Sequence, residues 1–181
     1  MQDEESLVRR LQERDDEAWT GLYDEFFDRI YRYIRLRVGN RAEAEDLTEQ
    51  VFLKALQSIS SYRWRGRPFS AWLFRIAHNQ MVDHVRKTRH RRTVPLDESL
   101  PATSAADPVL LAEQRSILGQ LAQSVGQLTG AQRAVIELRF AGELSTAETA
   151  QVLGKSPGAV KALQHSALVA LRKILSRDRD G

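Results

Sequence analysis

Cysteine is absent from all 181 residues. That rules out disulfides, thiolate metal sites and a cysteine nucleophile. Glycine (10) and proline (5) are few and β-branched runs are short, which argues against an all-β fold with its many turns. No uninterrupted apolar run approaches the roughly 20 residues of a membrane span. The N-terminal stretch MQDEESLVRRLQERDDEAW is charged and has no apolar core of signal-peptide length. The expectation is a soluble, cytoplasmic chain without membrane insertion. Histidine is scarce as well: His78, His84 and His90 are spaced six apart, so they do not share a helix face. There is no HxxxH or HExxH spacing, no paired-carboxylate arrangement and no Gly-rich phosphate loop. The sequence therefore points to no metal site and no catalytic constellation; no cofactor is expected, and the chain is not read as an enzyme.

What remains is helix-forming material. Apolar residues make up 42%, enough for a real core, and Leu, Ala, Arg, Glu and Gln dominate. Net charge is only +3, yet the sequence pI is about 9.4. The charge is segregated. Acidic residues gather near the N-terminus, at Glu43 to Glu49 and around Asp97 to Asp107; basic residues gather at Arg63 to Arg67 and Arg86 to Arg92. Local basic patches of this kind bear more on nucleic-acid binding than the total does.

The stretch that organises the chain is Phe69 to Lys87, FSAWLFRIAHNQMVDHVRK. At helical spacing Phe69, Leu73, Ile76 and Ala77 share a side, with Trp72 at its margin and Phe74, Met81 and Val85 widening the arc. Arg75, Asn79, Val82 and Arg86 fall opposite. An amide set between guanidinium groups suits an anionic partner that also carries hydrogen-bonding edges. Upstream, Glu4 to about Gly21 reads as one helix with Leu7, Leu11 and Ala18 or Trp19 inward, and Leu22 to Val38 as a second, ended by Gly39-Asn40. Arg41 to Ile59 reads as a third, with Leu47, Val51, Ala55 and Leu56 inward and Glu45, Asp46, Glu49 and Gln50 outward. The loop SSYRWRGRPF alternates Arg63, Arg65 and Arg67 with Tyr62 and Trp64. Taken alone it allows two readings: rings that stack on unpaired bases beside phosphate contacts, or rings that plug a helix corner under solvated arginines.

Thr93 to Asp107, with Pro95, Pro101 and acidic residues, reads as a linker. Asp107-Pro108 would start a helix to about Leu128 carrying Leu110, Leu111, Ile117, Leu118, Leu121 and Val125. Thr129 would cap a helix through Ala141, and Gly142 would end it. Ser145 with Glu148 forms a capping box, Gly154 closes that short helix, and Ser156-Pro157 opens the last. Helix, Gly-containing turn, helix is the helix-turn-helix pattern. Its second helix offers Ser156, Gly158, Ala159, Lys161, Ala162, Gln164 and His165 to a major groove.

AEDLTEQVFLKAL, FSAWLFRIAHNQMVDHVRK and LTGAQRAVIELRF…LSTAETAQVLGKSPGAVKALQHSALVALR, in this order, resemble the extracytoplasmic-function (ECF) sigma factors of the sigma-70 family over nearly the whole chain. The family's EDLTQEVF is here EDLTEQVF. The resemblance implies an all-α fold of two small helical domains: region two at 1–92, a linker at 93–107 that threads the polymerase channel, and region four at 108–181. It implies docking on the clamp of core RNA polymerase through Asp46, Glu49 and Gln50, docking on the flap, and an anti-sigma factor as a further partner. It implies a minus-ten site that opens promoter DNA and holds a flipped base, made by the Tyr62 to Pro68 loop and Asn79. Arg63, Trp64, Arg65, Arg67, Arg75, Asp83, Arg86 and Lys87 would belong to that site. The minus-thirty-five site would be the last helix, aided by Arg133 and Arg139, because ALQHSALVAL is poorer in arginine than this helix often is in the family. A helix-turn-helix regulator that acts without polymerase docking is the alternative; it would bind an operator by itself, as a dimer with a symmetric footprint.

Overall fold

The computed structural model describes residues 2–91 and 121–177, and they are all-α, with no strand among them. Four helices come first: α1 (Gln2–Gln12), α2 (Asp16–Val38), α3 (Arg41–Ser58) and α4 (Phe69–Arg91), with a 3-10 turn at Ile59–Ser61. The rest comprises α5 (residues 121–126), α6 (Gly130–Ile136) continued by a π-helical turn (Glu137–Ala141), α7 (Thr146–Leu153) and α8 (Pro157–Arg177). The linker, the Asp107-Pro108 start, and Leu110, Leu111, Ile117 and Leu118 lie outside the described residues.

Local chemistry sets the helix ends. The Asn40 side chain accepts from Glu43 N, and Gly39 closes α2 at φ 78°. Thr129 with Gln132 and Ser145 with Glu148 form full capping boxes, which satisfy backbone donors that a helix start leaves open. The expected single helix from Glu4 to Gly21 is two. Arg14 turns left-handed at φ 59°, and Asp15 caps α2 by accepting from Glu17 N (3.0 Å) and Ala18 N (3.1 Å). The charged run around Asp15 conceals a cap as easily as it suggests a solvated helix face.

Helix α4 is the strut. Its Phe69, Ala71, Leu73, Phe74, Ala77 and Met81 are buried, and it packs on α2, α3 and α7. Arg75, Asn79, Val82, Asp83, Arg86 and Lys87 stay exposed, so the two sides expected from the periodicity are the two sides observed. The two modules are in contact, a placement the sequence left open: Leu138, Leu144 and Val152 belong to the same apolar cluster as Phe74, Ile30 and Tyr33. Smaller clusters close the helix-turn-helix, Val135, Ala150 and Val160 in one, and Val125, Leu128, Ile136, Ala167 and Leu171 in another. Phe140 is 58% exposed, while the π turn places Glu137 and Leu138 inward.

At the heart of the first cluster the buried Tyr33 hydroxyl lies 2.7 Å from His78 Nδ1. Burial, and then the charge of Arg37, hold His78 below its ordinary value of 6.5. The folded chain thus keeps the ring neutral while the unfolded chain takes up a proton below about pH 6.5. The unfolded state then binds more protons, so stability is lost as pH falls from about 6.5 through the lower folded value. Thermal melts at pH 7.5 and 5.5 should show a larger loss for the parent than for His78→Gln.

Candidate nucleic-acid interface

The arginine loop connects the 3-10 turn to α4, and α1 braces it. Gln12 Nε2 donates to Ile59 O (3.1 Å) and to Tyr62 O (2.9 Å). Glu4 accepts from Phe69 N (3.3 Å) at the first residue of α4, and Trp19 Nε1 donates to Leu11 O (3.1 Å), tying α2 to α1. Gly66 sits at φ 68°, the left-handed conformation glycine takes without steric cost, and this reverses the chain between Arg65 and Arg67.

The braced loop makes a cleft of about 380 Å³ with the start of α4, lined by Tyr62, Arg63, Arg65, Arg67, Trp72 and Arg75 among others. Four guanidinium groups and two aromatic rings thus converge on one opening. The rings are half-buried and belong to the fold too. Tyr62 stands edge-on to Phe69 at 5.6 Å and tilted against Trp72 at 4.8 Å. Trp64 packs against the main cluster outside the cleft, its indole N–H buried without a partner. The plug reading therefore describes Trp64, while Tyr62 and Trp72 both plug the corner and face the cleft.

Asn79 is exposed one helical turn beyond Arg75 and does not line the cleft. Further along, Arg86 pairs with Asp83 at 3.1 Å and lines a second cleft with Val82, Val85, Arg37, Leu128 and Arg133. Asp46, Glu49 and Gln50 are exposed on α3, beside a run of ring contacts formed by Tyr23, Phe27 and Phe52.

In the helix-turn-helix, Ser156 accepts from Ala159 N (3.2 Å) and so caps α8. Gly158, Ala159, Lys161, Ala162 and His165 are exposed at its leading end. Gln164 is half-buried and accepts from Arg139 Nε (3.0 Å), and Arg133 donates to Val125 O (3.1 Å) and Gly126 O. Gln164 and Arg133 are thus engaged within the fold, and Arg139 braces α8 rather than standing free. Among the described residues there is no group of His, Asp or Glu arranged to hold a metal ion, and no helix long and apolar enough to cross a membrane.

A basic cleft with aromatic walls on one helical unit, joined to a helix-turn-helix, is the combination that comparison with known proteins resolves. The family model for Sigma-70 region 2 matches residues 22–91 and that for Sigma-70 region 4 matches residues 125–173. The ECF RNA polymerase sigma factor BldN of Streptomyces coelicolor is 42% identical over 176 residues, 95% of this chain and 66% of BldN. SigL of Mycobacterium tuberculosis, also an ECF RNA polymerase sigma factor, is 36% identical over 156 residues, 85% of this chain and 86% of SigL. This chain belongs to the ECF sigma factors of the sigma-70 family. Among solved structures, CnrH in complex with the cytosolic domain of CnrY superposes with a TM-score of 0.74 at 25% identity, covering 95% of this chain and 96% of CnrH.

Reading the sequence alone missed Gln12 and Glu4 as supports of this sigma factor's arginine loop. Their partners lie 47 to 65 residues away, and only the polar character of Gln12 next to buried Leu11 hinted at a use. Gln12→Ala should remove the side-chain donor that bridges the Ile59 and Tyr62 carbonyls. Its thermal midpoint should fall by a few degrees, for a loss of about 1–2 kcal/mol. Amide exchange by mass spectrometry should rise at residues 59–68 and stay unchanged on α8.

Proposed function

We propose that this protein acts as an alternative sigma factor: it binds core RNA polymerase, directs it to promoters with minus-thirty-five and minus-ten elements, and helps to open the DNA. The observation that carries this is the juxtaposition, on one side of α4, of the arginine and aromatic cleft with the exposed Arg75, Asn79 and Arg86 stripe. An intact duplex hides its base faces. A cleft lined by Tyr62 and Trp72 beside four guanidinium groups suits a base taken out of the stack, with its phosphates held alongside. Extrusion costs a few kcal/mol, and stacking of about 1–3 kcal/mol together with hydrogen bonds to an amide can offset it. Asn79 supplies that amide with both a donor and an acceptor, and Arg63, Arg65, Arg67, Arg75, Arg86 and Lys87 supply phosphate contacts. Trp64 keeps the loop on the core rather than stacking.

The other surfaces take the remaining tasks. Asp46, Glu49 and Gln50 form the polar exposed part of α3 and are assigned to the polymerase clamp. The leading end of α8 presents small residues with Lys161 and His165, which lets helix N-terminal amides approach phosphates in the major groove. The polymerase performs the bond-making chemistry. An anti-sigma factor is the expected regulatory partner, in keeping with a neighbour, CnrH, whose structure contains the cytosolic domain of CnrY.

Run-off transcription with core polymerase and a library of upstream sequences tests this directly, and a promoter-dependent transcript is expected. Asn79→Ala should reduce open-complex formation roughly tenfold, equivalent to about 1.4 kcal/mol, and relax base preference at a single minus-ten position. An unchanged preference removes Asn79 from base reading. Reversing the charges of Asp46 and Glu49 to lysine should abolish polymerase association while the circular dichroism spectrum stays helical.

A further inference from the structure

Helix α1 precedes the segment matched by the Sigma-70 region 2 model, yet two of its side chains grip both ends of the arginine loop. At the start of the loop, Gln12 Nε2 donates to Ile59 O and Tyr62 O. At its end, Glu4 accepts from Phe69 N, an N–H of the kind that the first turn of a helix leaves without an intrahelical partner. Glu4, Val8 and Gln12 follow one another at four-residue steps, so they share a side of α1. Val8 and Leu11 are buried in the main apolar cluster, and Trp19 Nε1 of α2 holds the Leu11 carbonyl. The helix is thus anchored by its apolar residues and by α2, and Gln12 and Glu4 are left to act on the loop.

Between the two grips the chain has slack. Tyr62 to Phe69, extended, would span about 25 Å, whereas Glu4 and Gln12 stand about 12 Å apart along α1. Residues 62–68 belong to no helix, so no ladder of their own selects one path. A slack segment has many conformations to lose when it is ordered, and holding both of its ends in advance removes part of that cost from the moment of binding.

The two backbones gripped from α1 belong to the rings that shape the cleft. Tyr62 and Trp72 line it. Phe69 is buried and touches both, edge-on to Tyr62 at 5.6 Å and tilted to Trp72 at 5.1 Å. Arg63 Nη1 reaches Tyr62 O as well (3.4 Å), and Ser60 O (3.2 Å). Gln12 and Arg63 therefore converge on one carbonyl, and the placement of a cleft guanidinium depends on the same grip as the placement of a ring.

We propose that Gln12 and Glu4 are positioning residues for minus-ten selectivity: from α1 they hold the backbone of Tyr62 and Phe69, which fixes the aromatic walls of the cleft before an unpaired base enters. This deepens the promoter-reading role proposed above and rests on it. Neither side chain need touch DNA. A pocket held to shape discriminates between bases because a poorly fitting base cannot remould it, whereas a loosened pocket adapts to several.

Four variants separate the hold from the bulk of the side chain. Gln12→Glu keeps the shape and sets a carboxylate against two carbonyls, whereas Gln12→Lys keeps an N–H donor. Glu4→Ala removes the acceptor at Phe69 N, whereas Glu4→Gln keeps it. Holoenzyme is assembled from core polymerase and each full chain. Promoters that give a transcript in the run-off library are then changed base by base, and open complexes are read by permanganate reactivity of unpaired thymines. Gln12→Glu and Glu4→Ala should each cut discrimination at one minus-ten position by about threefold or more. Polymerase affinity and the response to minus-thirty-five changes should stay within about twofold of the parent. Gln12→Lys and Glu4→Gln should keep the parent's discrimination. Gln12→Ala serves if Gln12→Glu melts early. Unchanged discrimination in the loss variants, an equal drop on every template, or the same loss in the retaining variants overturns the positioning role. If no form, the parent included, gives a promoter-dependent transcript, the promoter-reading role fails instead. Amide exchange at residues 62–69 of the free chain, expected to rise in Gln12→Glu and Glu4→Ala alone, then still decides whether α1 holds the loop.

Discussion

Burial of one side of α4 is the constraint from which the other features follow. Phe69, Leu73, Phe74, Ala77 and Met81 need covering, and α2, α3 and α7 cover them. At roughly 1.5–3 kcal/mol for each fully buried large apolar side chain, these contacts fix the roll of α4 about its own axis. With the roll fixed, Arg75, Asn79 and Arg86 have only one direction to face. The polar stripe is thus positioned by the buried apolar residues opposite it, and the arginine loop inherits its position because it leads into the first turn of that helix.

The helices and their ends were largely legible from the chain. Period 3.6 gave both sides of α4, and Thr129, Ser145, Gly142 and Gly154 marked the starts and stops of the C-terminal helices because capping is chemistry within a few residues. The site was legible by type of residue: arginines and rings in one loop, an amide between arginines on one helix. What stayed hidden depends on distant parts of the chain. Asp15 looked like part of a charged helix, although its side chain ends one helix and begins the next. Glu148 was read correctly as a capping partner, but its second bond reaches Ser70, 78 residues away. Glu137 lies inside the helix expected to run to Ala141 and is buried, paired with Arg37 of α2 from within the π turn. Periodicity carries no information about a residue 100 positions off.

Two groups of arginines in this sigma factor meet opposite electrostatic surroundings. Arg63, Arg65, Arg67 and Arg75 are exposed around one cleft. Arg29, Arg32 and Arg37 are held by carboxylates and carbonyls of the C-terminal module. The net charge of +3 conceals this division, since the second population is largely answered inside the molecule. A small overall excess of positive charge is therefore compatible with one strongly basic side.

The brace from α1 alters what counts as the working unit. The match to Sigma-70 region 2 begins at residue 22, whereas Glu4, Gln12 and Trp19, which tie α1 to α2, to the arginine loop and to the start of α4, precede it. A chimera that grafts residues 22–91 onto another scaffold would carry the polar stripe and the arginine loop and leave their support behind. On the proposed promoter-reading role, transplanting promoter preference between sigma factors of this build would call for the first helix to travel with residues 22–91.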